Sequence, residues 1–319
     1  MAARSEDVAR VAGVSRPTVS QILNGRGRFS AATIERVRAI AAELDYRPSA
    51  AARSLATGTS DVVVALVPNT TFGVNLQDAF DALTTELARV GLTLVLRLSS
   101  SPVELLDHFV TTTRPRAVLA SFGPLPAAVR RVLDDASVPI VGDDADALEQ
   151  LNRDVGRLQA EHLIAGGRTR LVYAHLHDDR QDVFGDSREH GVVDACAAAG
   201  LEPPRSVRLA LTEADAVAAL GTVHASPVGI ACYNDDVAIA LLDACRVLGR
   251  SVPDDVSLVG MDATPMSGLV WPRLTTIAMD TPTVIADIAR VIVDQIAGAQ
   301  GRDIDLATTL RLVAGGTTL

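Results

Sequence analysis

The chain has no lysine: all 29 of its basic residues are arginine. We read this as a bias of codon composition rather than a functional device. Cysteine is scarce as well. Cys196, Cys232 and Cys245 are too few and too scattered for a disulfide framework or a zinc site, and they read as small buried residues in a reducing cytoplasm. Aromatic residues make up only 3% of the chain, so stacking platforms are poorly supplied. No apolar run reaches the roughly 18 residues that a membrane span needs. The first ten residues, MAARSEDVAR, are polar and charged, unlike a secretory signal. These absences set the expectation of a cytoplasmic protein with no membrane partner. Catalytic motifs are missing too: there is no GxGxxG after a strand, no Walker loop and no nucleophile elbow. The expectation is a protein that is not an enzyme and uses no cofactor.

What is present is ordinary for a globular protein: 319 residues, 48% hydrophobic and 21% charged. That length suggests about two domains. The net charge of −10 is unevenly spread. Residues 1–60 hold nine arginines and five acids, a balance of +4, and the remainder holds twenty arginines and thirty-four acids, a balance of −14. A basic head on an acidic body suggests that the head meets a polyanion.

The head reads as short helices. Val8, Ala9, Val11 and Ala12 repeat at helical spacing, and Gly13 breaks the run. Ser15 can cap a second helix with Val19, Ile22 and Leu23 on its apolar side. Ser30 can cap a third, with Ile34, Val37, Ile40, Ala41 and Leu44 on one face. The second helix points Arg16, Thr18, Ser20 and Gln21 outward, and Asn24 follows it. Hydroxyls and amides suit phosphates, and Arg and Gln suit base edges in the major groove. This is the helix-turn-helix arrangement, in which the second helix enters the groove. From Asp61 onward the pattern changes to apolar strand candidates (62–67, 92–98, 117–120, 138–141, 171–174, 207–211, 228–233 and 256–261), most of them separated by helical segments. Continuous apolar runs alternating with helices indicate parallel α/β sheets, in one large sheet or two lobes.

The segment DVARVAGVSRPTVSQILNGRGRFSAATIERVRAIAAELDYRPSAAARSLATG resembles the DNA-binding head of the LacI/GalR family of bacterial transcriptional regulators. The blocks SREHG, YNDDVAIALLDACRVLGRSVPDDVSLVGMDATP and PRLTTI resemble family motifs further along the chain. The resemblance implies an α head followed by an α/β body. Residues 1–47 would be the helix-turn-helix domain, 48–60 a hinge helix and linker, and 61–319 a periplasmic-binding-protein-like body of two α/β lobes. It implies that Arg16, Pro17 and Gln21 fall where the family reads bases. Pro17 cannot donate a hydrogen bond but is tolerated in a first helical turn, so base reading would rest on Arg16 and Gln21. Ser15, Thr18, Ser20, Asn24, Ser30, Thr33 and Tyr46 match positions that hold phosphates, and Ser5 matches a position near the DNA. Leu55 matches the leucine wedged into the minor groove, with Arg53 near phosphate.

In the body, the resemblance places Arg188, Asn234 and Asp262 around an inter-lobe effector cleft, with Phe72 and Asp143 as further candidates. A guanidinium, an amide and a carboxylate can together clamp vicinal hydroxyls. The implied protein is a homodimeric repressor that binds a pseudo-palindromic DNA operator and responds to a small-molecule effector. A sugar or sugar derivative is the family default; a nucleoside, or a protein or phosphosugar corepressor, is the alternative, as is a pure small-molecule-binding role. There are departures from the family pattern. Gly166, Gly167 and Arg168 stand where the family has Gly-His-Arg, Leu211 lies near the position of a sugar-stacking aromatic, and Met279 replaces a polar residue. His175, His177, Asp178 and Asp179 follow a strand, but with no complementary cluster in the sequence no metal site is assigned to them. Trp271, before Pro272, reads as a packing residue.

Overall fold

The computed structural model describes residues 3–23, 27–46, 58–67, 75–98, 103–120, 125–178, 180, 182, 184–299 and 307–319. Three helices open the chain: α1 (Ser5–Ala12), α2 (Arg16–Leu23) and α3 (Ala31–Glu43). Gly13 ends α1 in the left-handed region at φ 67°, a conformation that favours glycine. The Ser15 and Ser30 hydroxyls accept the N–H groups of Thr18 and Thr33, both at 3.2 Å, and so start α2 and α3. Val8, Ala12, Val19, Ile22 and Val37 form one small buried core for all three helices.

The first α/β lobe contains β1 (Val62–Val67), α4 (Asn75–Arg89), β2 (Thr93–Leu98), α5 (Val103–Thr113), β3 (Ala117–Leu119), α6 (Ala127–Asp135) and β4 (Ile140–Val141). Its parallel sheet runs β2-β1-β3-β4. The second lobe begins with the 21-residue helix α7 (Ala145–Ala165), followed by β5 (Leu171–Leu176), α8 (Gly185–Ala198), β6 (Arg205–Leu209), α9 (Glu213–Gly221), β7 (Val228–Cys232), α10 (Asp235–Leu248), β8 (Val256–Met261) and β9 (Thr275–Met279). Its sheet runs β10-β9-β8-β7-β5-β6, with β10 (Leu310–Val313) antiparallel to β9. Strands such as β1, β7 and β8 are apolar along their length because helices cover both sheet faces.

The helix α11 (Thr281–Ile296) follows the second lobe in sequence but packs on the first. Its Ile285, Ala289 and Ile292 join Val63, Ala65, Leu83 and Leu87 in one core. The chain therefore crosses between lobes after β4, after β9 and before β10. Two readings of the sequence change here. The segment 275–279 is a strand that apolar runs did not reveal, and Trp271 is 88% exposed among the described residues rather than packed. The expected hinge lies almost wholly in residues 47–57, outside the described residues, as do its Arg53 and Leu55.

Candidate DNA-reading face and effector cleft

In the head, α2 divides cleanly into two sides. Val19 and Ile22 are buried, while Arg16, Pro17, Ser20 and Gln21 are exposed, as is Ser15 just before the helix. Thr18 is half-buried. The exposed positions follow the i, i+4 spacing of a helix, so the polar stripe is continuous. Arg16 is supported from α1: its Nε donates to Ser5 Oγ at 3.1 Å and a terminal N–H donates to Glu6 at 3.3 Å. This exposed pairing is weak and yields readily to a phosphate or a base. Ser30 is exposed at the start of α3, with Thr33 and Tyr46 half-buried. Tyr46 packs against the head core. The structure thus brings Ser5, Ser15, Arg16, Pro17, Thr18, Ser20 and Gln21 into one neighbourhood. Asn24 lies outside the described residues.

The second candidate site lies at the carboxyl ends of the second lobe's parallel strands, where open α/β sheets bind ligands. Arg188, in the first turns of α8, is only 7% exposed. Its Nε donates to Asn152 Oδ1 on α7 at 2.9 Å, and a terminal N–H donates to the Tyr233 carbonyl at the end of β7. The guanidinium lies 5.3 Å from the Phe184 ring centroid and 5.2 Å from that of Tyr233. It is therefore held by hydrogen bonds on its edge and aromatic rings at its faces. Two glycines make the approach possible. A Cβ at Gly156 on α7 would collide with the Arg188 carbonyl, and one at Gly191 on α8 would collide with the Arg153 carbonyl.

Asn234 starts α10, its Oδ1 accepting the Val237 N–H at 3.0 Å. Asp262 follows β8 at φ 106°, and Ala263 follows at φ 48°, two non-glycine residues with positive φ at the edge of the site. This strained turn is tied down by Asp235. One Asp235 oxygen accepts the Thr264 N–H at 2.7 Å, and the other accepts the Thr276 hydroxyl at 2.6 Å. Burial pushes the Asp235 carboxyl upward in pKa. Burial likewise pushes Asp262 up to about 7, with the nearby Arg188 charge opposing the rise and Asp235 and Asp236 adding to it. A carboxyl poised there can donate or accept a hydrogen bond near neutrality.

Asp143 has a different occupation from the one expected. Its Oδ1 accepts the Leu125 N–H at 3.0 Å, and its other oxygen pairs with Arg130. Each oxygen thus latches α6 inside the first lobe. Phe72 lies outside the described residues, together with most of the loop after β1. Arg168 is structural, donating to Ser257 Oγ at 2.9 Å and to the Pro253 carbonyl at 2.7 Å. Asn152, Phe184, Tyr233, Asp235 and Thr276 are the residues that sequence reading missed. Tyr233 and Asp235 flank Asn234 in the YNDD block, and Thr276 lies in PRLTTI; nothing in the sequence marked Asn152 or Phe184. An open cavity of about 460 Å³ exists elsewhere, at the amino ends of β5, β6 and β7, lined in part by Arg170, Glu202 and His224. It lies at the opposite end of those strands from Arg188 and Asp262.

The bacterial regulatory proteins of the lacI family match residues 6–49, and a periplasmic binding protein-like domain matches residues 160–318. The transcriptional regulator GntR of Pseudomonas aeruginosa is 30% identical, over 98% of this chain and 94% of its own length. A solved complex of the transcriptional regulator CelR with cellobiose is 27% identical, covers 99% of both chains and superposes with a TM-score of 0.64. The lac repressor dimer bound to operator and the anti-inducer ONPF is 23% identical, covers 100% of both chains and gives a TM-score of 0.76.

Proposed function

The chain belongs to the LacI family of bacterial regulatory proteins, and on that premise we propose that it is a cytoplasmic homodimeric repressor controlled by a small polar ligand, a sugar or sugar derivative. As a family member it is a DNA-binding transcriptional regulator and not an enzyme. In the proposed action, two heads occupy the half-sites of a pseudo-palindromic operator. Arg16 and Gln21 read bases, and Ser5, Ser15, Thr18, Ser20, Asn24, Ser30, Thr33 and Tyr46 hold the backbone. Pro17 shapes the first turn of α2. Arg53 and Leu55 belong to the proposed hinge, residues 48–60, between the head of residues 1–47 and the body of residues 61–319.

The observation that carries this reading is the undivided polar stripe of α2, mounted on a helix whose opposite side buries Val19 and Ile22. Ligand recognition would centre on Arg188, Asn234 and Asp262. The solved complex of CelR with cellobiose supports a sugar. Dimerisation is supported by apolar side chains left exposed, among them Leu96 and Leu98 on the edge strand β2. No helix among the described residues is long and apolar enough to cross a membrane.

The test is selection of genomic fragments by the purified protein, followed by sequencing of what is retained. Recovery of a pseudo-palindromic site is the expected result, and genes beside that site define the ligands to titrate. Retention of random fragments only, with and without added cell metabolites, would overturn the operator reading.

A further inference from the structure

His175 sits on β5 with no exposed surface. Its Nε2 lies 2.9 Å from Glu189 Oε2, and the other Glu189 oxygen accepts the Ser206 hydroxyl. A carboxylate only accepts, so Nε2 carries the proton. In the neutral ring Nδ1 is then a bare lone pair. That atom is buried and has no hydrogen-bond partner. It faces Asp182 Oδ2 at 3.8 Å, beyond hydrogen-bond reach. Asp182 is oriented for this approach, because its Oδ1 is occupied by the N–H groups of Phe184 at 3.0 Å and Gly185 at 2.7 Å. Asp186, on α8, adds a second carboxylate, and one ligand atom from each of His175, Asp182 and Asp186 lies within 4.8 Å of the others. Gly185 keeps the space open, since a Cβ there would strike Asp182 Oδ2 and stand 2.9 Å from His175 Nδ1.

A bare Nδ1 lone pair facing two carboxylates is repulsive unless a proton or a metal ion lies between them. We propose that His175, Asp182 and Asp186 form a binding site for a divalent transition metal, with Glu189 as the outer carboxylate that fixes the imidazole. One nitrogen and two oxygens suit zinc, manganese or cobalt, whereas calcium and magnesium favour all-oxygen sets. The chain of carboxylate, histidine and open nitrogen is the arrangement that sets a ligating ring's tautomer in metal sites. Ligands about 2.1 Å from a tetrahedral ion stand roughly 3.4 Å apart. The site therefore closes by a modest swing of Asp186, whose side chain is 80% exposed and only 3.5 Å from Arg208. The side exposed at Asp186 leaves room for water or another ligand atom. Asp182 also precedes the helix that carries Arg188, so an ion here would stiffen the entry to the cleft. That last consequence rests on the effector reading, while the metal site does not.

The test uses the untagged full-length protein, stripped with chelator. Zinc is titrated by calorimetry, and cobalt by its visible absorption. One ion per chain is expected, with Asp182→Asn and Asp186→Asn each weakening binding at least about tenfold and Glu189→Gln weakening it about 10- to 100-fold. His177→Ala and His190→Ala should leave the affinity unchanged. Buried His175 is a poor target for substitution, so the carboxylates carry the test. No uptake at millimolar metal would overturn the site, and so would uptake indifferent to Asp182 and Asp186. Histidine NMR showing a doubly protonated His175 at neutral pH, with no uptake, would mean that a proton is the missing cation.

Discussion

Two arginines of this chain do opposite kinds of work. Arg16 has a side chain 67% exposed and leans on Ser5 and Glu6, whereas Arg188 is 7% exposed and fixed by Asn152, the Tyr233 carbonyl and two rings. The proposed partners explain the contrast. A duplex is a large polyanion met in open solvent, and it supplies the attraction itself. A side chain that meets it needs reach more than rigidity. A small ligand offers few contacts, so its site must be built and desolvated beforehand. The head can thus be altered at its surface with little effect on folding, while the cleft cannot be altered without disturbing its scaffold.

The sharpest way to break this comparison lies on the scaffold. Gly156→Ala places a methyl on the Arg188 carbonyl, at a helix crossing with no slack. Overpacking of this kind costs about 1–3 kcal/mol and occasionally more, and we expect the upper end because the opposing atom is backbone. Urea unfolding of the variant measures it. A loss under about 0.5 kcal/mol, the usual size for a surface change, would show that α7 and α8 separate freely and that Arg188 is not rigidly held.

Arg16→Ala should do the reverse. If it contacts a base, operator affinity falls by about 1–3 kcal/mol, while stability stays within about 0.5 kcal/mol. Fluorescence anisotropy on a recovered operator and on a scrambled one reads the first, and thermal melting reads the second. Equal losses on both DNAs would reassign Arg16 to the phosphates. A melting point that drops with the affinity would make it part of the head's framework.

The same contrast explains what the sequence made legible. The head was readable because its contacts are local: Val8, Val19, Ile22 and Val37 meet at helical spacing, and Ser15 and Ser30 cap helices three residues away. The strands of the body were readable as apolar runs, save β9 and the short β10; β9 shows why. Its Thr275 and Thr276 are fully buried, but their hydroxyls are satisfied by Thr318 and Asp235, which the local pattern does not show. The cleft is of that same kind. Arg188 was found through a motif, yet Asn152 lies 36 residues before it and Tyr233 lies 45 residues after it. Asp143 is a related case: an acid after a strand suits a ligand or a latch equally, and only the fold placed Arg130 against it.

Asp262 tests whether the cleft is dry. Burial raises its pKa to about 7 in the folded chain, against about 3.9 when unfolded. The folded state therefore binds this proton more tightly than the unfolded chain does. Unfolding releases it between those two values, so its contribution to stability is best below about pH 4 and declines as pH rises towards 7. Asparagine cannot ionise. The melting temperature of Asp262→Asn, relative to the parent, should thus rise between pH 4 and pH 7 and level off above. The partial exposure of Asp262 limits the size of the change. A difference that is flat across this range would mean that water reaches the carboxylate freely and that the second site is as open as the first.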